Sequence, residues 1–227
     1  MVVTAKDIRN AARLLEPHVM RTPMVQSPLL SQQLQCELHL KLECLQYTSS
    51  FKARGAYVAM QNLTEEQRSL GVIAMSAGNH AQAVAYHAGK MNIPAVIVMP
   101  SQTPFAKVAR TQNYGAEVVL EGRNLNECEV RVQALIEYRR LTLIHPYDDA
   151  NVIMGQGTVG LEMLIDQPDL DVLVVPIGGG GLMSGIATIA REMRPDIRII
   201  GVQTESYPSM QAARLNEDML CGGETLA

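Results

Sequence analysis

A chain of 227 residues, 47% of them apolar, is long enough for one large or two small domains with a sizeable core. Its 23 acidic and 19 basic residues leave a formal charge of −4, and without a basic stripe nucleic acid is disfavoured as a partner. No apolar run is long enough to span a bilayer, and residues 1–10 carry charges and lack a signal-peptide core. Cys36, Cys44, Cys128 and Cys221 show neither metal-type nor Cys-x-x-Cys spacing, which points to a cytosolic protein with free thiols.

Residues 4–15 read as a capped amphipathic helix. A short helix follows at 27–34, and Leu38-His39-Leu40-Lys41-Leu42-Glu43 alternates like a strand. Thr48, Ser49 and Ser50 then stand ahead of Phe51 and Lys52. The apolar run Ala56, Val58, Ala59, Met60 and Leu63 has helical spacing, so the hydroxyl residues mark an N-cap and Lys52 falls in the first turn of a helix over 52–63. A cation there opposes the helix dipole, but a lysine that must be neutral to attack a carbonyl is helped by the same field. Position alone favours a solvated surface lysine.

A strand at 72–75 leads into Ser76-Ala77-Gly78-Asn79-His80-Ala81-Gln82, which opens a helix over 79–91. Small residues there let backbone N–H groups meet an anion, most simply a carboxylate. Taken alone, Asn79 is a plain cap and His80 a satisfied polar residue. Further strands are expected at 95–99, 117–120, 142–144, 172–175 and 198–202, with helices at 104–114, 124–140, 152–166, 182–193 and 209–215. The alternation means an α/β fold with parallel sheets and helices on their faces. Ligands in such folds sit at the carboxyl ends of strands.

One such end carries an unusual loop. Val172-Leu173-Val174-Val175-Pro176 reads as a buried parallel strand, followed by Ile177 and then Gly178, Gly179, Gly180 and Gly181. Leu182, Met183, Ile186, Ala187, Ile189 and Ala190 continue at helical spacing. Strand, glycine loop and helix form an anion cradle, in which bare N–H groups converge on a phosphate. It is not a P-loop, because no Gly-Lys-Ser/Thr closes it, and it lacks dinucleotide-fingerprint spacing. A tight turn with spare glycines is the structural alternative.

Together these stretches resemble the fold type II pyridoxal-phosphate enzymes, in particular the threonine dehydratases with their serine dehydratase and serine racemase relatives. The blocks that carry the resemblance are Ser50-Phe51-Lys52-Ala53-Arg54-Gly55-Ala56, Ser76 through Gln82, Gly155-Gln156-Gly157-Thr158 and Gly178 through Leu182, in matching order and spacing. The resemblance implies the tryptophan synthase β-like architecture, two parallel-sheet three-layer domains. Residues 1–46 and 150–227 would form the larger, phosphate-binding domain, and 47–149 a small mobile domain carrying the Schiff-base lysine. It implies pyridoxal 5'-phosphate as cofactor, held covalently by Lys52, with Gly178, Gly179, Gly180, Gly181 and Leu182 on its phosphate. Phe51 would pack on the ring and Asn79 bond its phenolic oxygen. The backbone of Ser76, Ala77, Gly78, Asn79 and His80 would hold the substrate carboxylate. The implied reaction is elimination of water from L-threonine or L-serine, giving 2-oxobutanoate or pyruvate and ammonia, with isoleucine biosynthesis as one setting. A homo-oligomer, dimer or tetramer, is implied as well.

Gln156 and Thr158 are expected to shape a helix start. Tyr147, in His145-Pro146-Tyr147-Asp148-Asp149, could line the cleft or belong to a turn. Ala77 stands where serine racemases usually have a second serine, which favours elimination over racemisation. Gln203 replaces an acidic cation ligand of some relatives, and no metal is expected, although Glu205 keeps the site open. Against the family's catalytic domain the chain is short at its C-terminus, so the larger domain is expected to be incomplete. The rivals are a serine racemase, a dehydratase of another 3-hydroxy amino acid including those of hydroxyectoine breakdown, a non-catalytic ligand-binding or assembly protein, and a nucleotide-binding α/β domain.

Overall fold

The computed structural model describes residues 2–216, so Cys221 and the expectations for the last residues lie outside it. Helix α1 (Ala5–Leu15) starts at a capping box: Asp7 N–H donates to the Thr4 hydroxyl and Thr4 N–H to the Asp7 carboxylate. Strands β1 (Met24–Gln26) and β2 (His39–Lys41) pair antiparallel around α2 (Pro28–Leu34), which buries no side chain. This antiparallel pair stands beside the parallel sheets expected from the sequence. Three residues are too few for β1 to show a period.

After α3 (Lys52–Gln61), a helix unforeseen in the sequence, α4 (Glu65–Leu70), is capped by Thr64 and Gln67. Then β3 (Val72–Met75), α5 (Asn79–Met91), β4 (Ala95–Met99), α6 (Phe105–Gln112), β5 (Glu117–Leu120), α7 (Leu125–Arg139) and β6 (Thr142–Leu143) alternate. The four strands form a parallel sheet in the order β5-β4-β3-β6. Its side chains divide by parity. Val72, Ala74, Ile97 and Met99 pack with the alanine-rich faces of α3 and α5. Ile73, Val96 and Val98 pack with Cys128, Val132 and Leu135 of α7 on the other face. The result is a three-layer unit.

Helix α8 (Ala150–Asp166) leads to β7 (Val172–Pro176), α9 (Gly181–Met193), β8 (Arg198–Val202) and α10 (Ser209–Leu215). Strands β7 and β8 form a second, two-stranded parallel sheet. Leu173 and Val175 are buried with Val159, Leu164 and Ile186, whereas Val174 is 58% exposed. The strand expected to be buried on both faces is therefore covered on one. Its unbroken apolar run hides that asymmetry.

The Gly155-Gln156-Gly157-Thr158 block lies in mid-helix and not at a helix start; Asp149 caps α8 instead. The glycines thin α8 on two sides. A Cβ on Gly155 would stand 2.6 Å from the Gly55 Cα, and one on Gly157 would stand 2.8 Å from Ile8 Cδ1 and 3.0 Å from the Gly185 carbonyl oxygen. Helices α3 and α9 thus approach α8 at backbone distance. Gln156 Oε1 accepts from Gly55 N–H at 3.2 Å, and Thr158 donates to the Gly155 carbonyl at 2.6 Å. Helix α3 packs on α8 and also on α1, where Tyr57 and Val58 cluster with Ala11 and Leu15.

Candidate functional site

Lys52 opens α3, but the hydroxyls ahead of it do not cap the helix as the sequence suggested: Phe51 is the N-cap residue and bonds no side chain to the first turn, while Ser50 Oγ accepts the Lys52 backbone N–H at 3.3 Å. Ser49 takes the left-handed conformation (φ 57°) that turns the chain into the helix. The Lys52 amine donates to the carbonyl oxygen of Pro146 at 2.6 Å and sits 5.4 Å from the Phe51 ring centre. No ion pair among the described residues involves it. Burial lowers its pKa from 10.5 to about 8. The cause is loss of water around the charge rather than the helix field invoked from sequence.

Two loops with the expected character open near it. At the end of β3, Gly78 is the cap residue of α5, no side chain caps that helix, and Asn79 is its first residue and exposed. Asn79 is therefore not the plain cap. Ser76 Oγ accepts from Gly78 N–H at 3.1 Å, and Ala77 beside it is half-buried. At the end of β7, Gly178 to Gly181 turn the chain into α9, with Gly180 at φ 89°. The first N–H groups of a helix have no partner within it. Among the described residues, a Cβ on either Gly78 or Gly178 would meet nothing within 4 Å, so both loops present bare backbone there. The other glycines have packing reasons. A Cβ on Gly179 would run into the Tyr147 ring, and one on Gly181 would stand 2.7 Å from the Tyr147 carbonyl oxygen.

Residues 144–149 join the three stretches. His80 Nε2 meets the Ile144 carbonyl at 2.8 Å, Pro146 accepts the lysine, and Tyr147 packs against the glycine run. His145 Nδ1 accepts from the N–H groups of Tyr147 (3.3 Å) and Asp148 (2.7 Å), fixing the turn. Phe51 and Leu182 pack against the same apolar cluster under β7. Gln203 donates to the Gly178 carbonyl at 3.3 Å and to Ser209 Oγ at 3.0 Å, so its amide tethers the glycine loop to α10.

Two residues beyond the lysine lies a support that sequence reading missed. Arg54 is fully buried and spans Glu43 (2.7 and 2.8 Å), Glu162 (2.6 and 2.9 Å) and Thr158 (3.1 Å). Lys41 adds a 2.6 Å pair to Glu162, and Arg21 pairs with Asp166. Burial alone would lower the Arg54 pKa, but its bonds to Glu43 and Glu162 hold it above the ordinary value. In sequence the six charges are scattered over residues 21–166, and only the arginine within the lysine block hinted at a role.

Residues 15–222 match the family described as pyridoxal-phosphate dependent enzyme. The chain belongs to that family. It is 46% identical over 228 residues to the L-threonine ammonia-lyase of Thermotoga maritima, covering 100% of this chain and 57% of that protein. It is 45% identical over 219 residues to a catabolic L-threonine dehydratase of Staphylococcus aureus, covering 96% of this chain and 63% of that protein. The solved maize serine racemase superposes with a TM-score of 0.92 at 36% identity, over 96% of this chain and 67% of that one. The chain thus spans about three-fifths of the length of these two curated relatives.

The residues present fit the family's cofactor, pyridoxal 5'-phosphate. An aldehyde needs an amine that loses its proton readily and is not pinned by a carboxylate, and Lys52, lowered to about 8 and bonded to a carbonyl, is one. A phosphate needs unfilled space over bare N–H groups, and Gly178 borders such space at the start of α9.

Proposed function

We propose that the protein is a pyridoxal-phosphate-dependent ammonia-lyase that removes water and ammonia from L-threonine, and from L-serine, giving 2-oxobutanoate or pyruvate. The observation that carries this reading is Lys52: a half-buried amine, lowered to about pKa 8, resting on a carbonyl beside two open glycine loops. The names of the relatives, an ammonia-lyase and a dehydratase of threonine, supply the substrate.

Each residue then has one task. The Gly178 to Gly181 backbone, with Leu182, holds the phosphate. Lys52 would hold the cofactor's aldehyde covalently, and its free amine would serve as the base for the substrate Cα proton. The bound cofactor supplies a sink for the electrons of the broken C–H bond. Phe51 would cover one face of the cofactor ring, and Asn79 would donate to its phenolic oxygen. N–H groups from Ser76 to His80 receive the substrate carboxylate. Copies of the chain would associate as dimers or tetramers in the cytosol. No helix among the described residues is long and apolar enough to cross a membrane.

The likeness to maize serine racemase favours a second reading, racemisation. Ala77, which offers no hydroxyl on the far side of Cα, speaks for elimination. Borohydride reduction of the protein loaded with cofactor, followed by peptide mapping, tests the lysine. Label at Lys52 and loss of the visible band in Lys52→Ala are expected, whereas label at Lys41, Lys90 or Lys107 would refute the assignment. Assays with L-threonine, L-serine and D-serine separate the two reactions.

A further inference from the structure

His80 is a residue that neither the fold nor the carboxylate-binding backbone of its own loop requires to be histidine. Its ring is buried (3% exposed), with Nε2 2.8 Å from the Ile144 carbonyl oxygen and Nδ1 without a partner among the described residues. A carbonyl only accepts, so Nε2 carries the hydrogen and Nδ1 the lone pair. Burial, aided by the charges of Lys52 and His145, lowers its pKa to about 3, which keeps this one tautomer neutral at any ordinary pH. A core built for stability alone would not leave a nitrogen unpaired there.

The bond's target explains the expense. Ile144 is held on its other side too, its N–H donating to the Ile73 carbonyl at 2.9 Å beyond the end of β6. Two residues on is Pro146, whose carbonyl receives the Lys52 amine at 2.6 Å. The intervening chain is stiff, because proline fixes its own φ and restricts His145 before it. The His145 ring then clamps the turn beyond by accepting two N–H groups. From the buried imidazole to the lysine amine there is thus one short, rigid path.

We infer that His80 is a positioning residue for Lys52, acting through the Ile144–Pro146 backbone, an inference that rests on the cofactor reading above. The ring sets where the Pro146 carbonyl stands, and that oxygen sets where the resting amine waits. A carbonyl holds the amine by one hydrogen bond without favouring the ammonium form as a carboxylate would. The amine therefore stays both aimed and reactive. On capture its nitrogen bonds the aldehyde carbon and the aldehyde oxygen leaves as water, taking up both amine hydrogens.

The test follows capture itself, before any turnover. The probes are pyridoxal, which does not need the glycine loop, and pyridoxal 5'-phosphate. Rate and apparent affinity are read from the lysine-bound absorption band, with borohydride trapping to locate the label and thermal melts to verify folding. His80→Leu keeps bulk and loses the donor; His80→Asn keeps polarity but its amide stops short of the Ile144 oxygen; His80→Gln returns a donor close to the Nε2 position. We expect Leu and Asn to slow capture of both aldehydes at Lys52 about tenfold or more, and Gln to stay within about threefold of wild type. Should the Leu variant fail to fold, Asn against Gln decides. Folded Leu or Asn variants that capture at the wild-type rate, or a Gln variant as slow as Asn, would overturn the role of His80 while leaving the cofactor reading intact. A wild-type protein whose label maps away from Lys52 would overturn both.

Discussion

At the scale of single residues, the lysine decides most. A pKa near 8 leaves roughly a tenth of Lys52 neutral at pH 7, against well under a thousandth of an ordinary lysine. Aldehyde capture is expected to rise about tenfold for each pH unit up to pH 8 and then level, as stopped-flow absorbance would record. A linear rise continuing to pH 10 would mean an unperturbed amine. The linkage runs with the same sign. Between pH 8 and 10.5 the unfolded chain binds the proton that the folded one has lost, so this group's contribution to stability increases as pH rises through that window. The helix start at Lys52 was legible in the sequence because an apolar run at helical spacing is a local pattern, although the hydroxyl cap expected with it is not formed. The carbonyl that receives it was not, because Pro146 comes within reach of Lys52 only in three dimensions.

At the scale of elements, β3, β4, β5 and β8 and helices α5 and α10 fall on the residues their periodicity marks. The misreadings have physical causes. Sequence shows that Gly155 and Gly157 are small, but not that they lie in mid-helix where α3 and α9 press close. Likewise β7 is uniformly apolar, yet only alternate side chains are covered, since a strand turns successive residues to opposite faces. That asymmetry is measurable. Leu173→Ala should cost about 2–5 kcal/mol, as a buried truncation does. Val174→Thr should stay within about 0.5 kcal/mol, as surface changes do. Urea denaturation of the two variants checks this, and similar losses in both would place Val174 in a core.

For the molecule as a whole, the Arg54 cluster ties segments far apart in sequence, Lys41 and Glu43 to Glu162 and Asp166. Burial alone would raise the Glu162 carboxyl, but the bonds from Arg54 and Lys41 outweigh it and hold the pKa below 4.5. A depressed carboxyl contributes stability that is complete above its unfolded value, about 4.5, and is lost as pH falls through the folded one. Removing one partner of a buried pair costs about 3–5 kcal/mol. Glu162→Gln is therefore expected to lose about that much at pH 7, with the gap to wild type narrowing below pH 4.5, in denaturant titrations at both pH values. A gap independent of pH would show that the carboxylate's charge contributes nothing. The same cross-linking by contacts has a consequence for a broken chain. Helix α2 buries no side chain, and Leu34 within it is 61% exposed. A chymotrypsin-type cut there would sever only the peptide bond. β1 would remain laddered to β2, Ile8 of α1 would remain against Leu161 and Ile189, and Arg21 would remain on Asp166. The nicked protein should elute from a sizing column as one particle and separate into two pieces only in denaturant, two chains behaving as one fold.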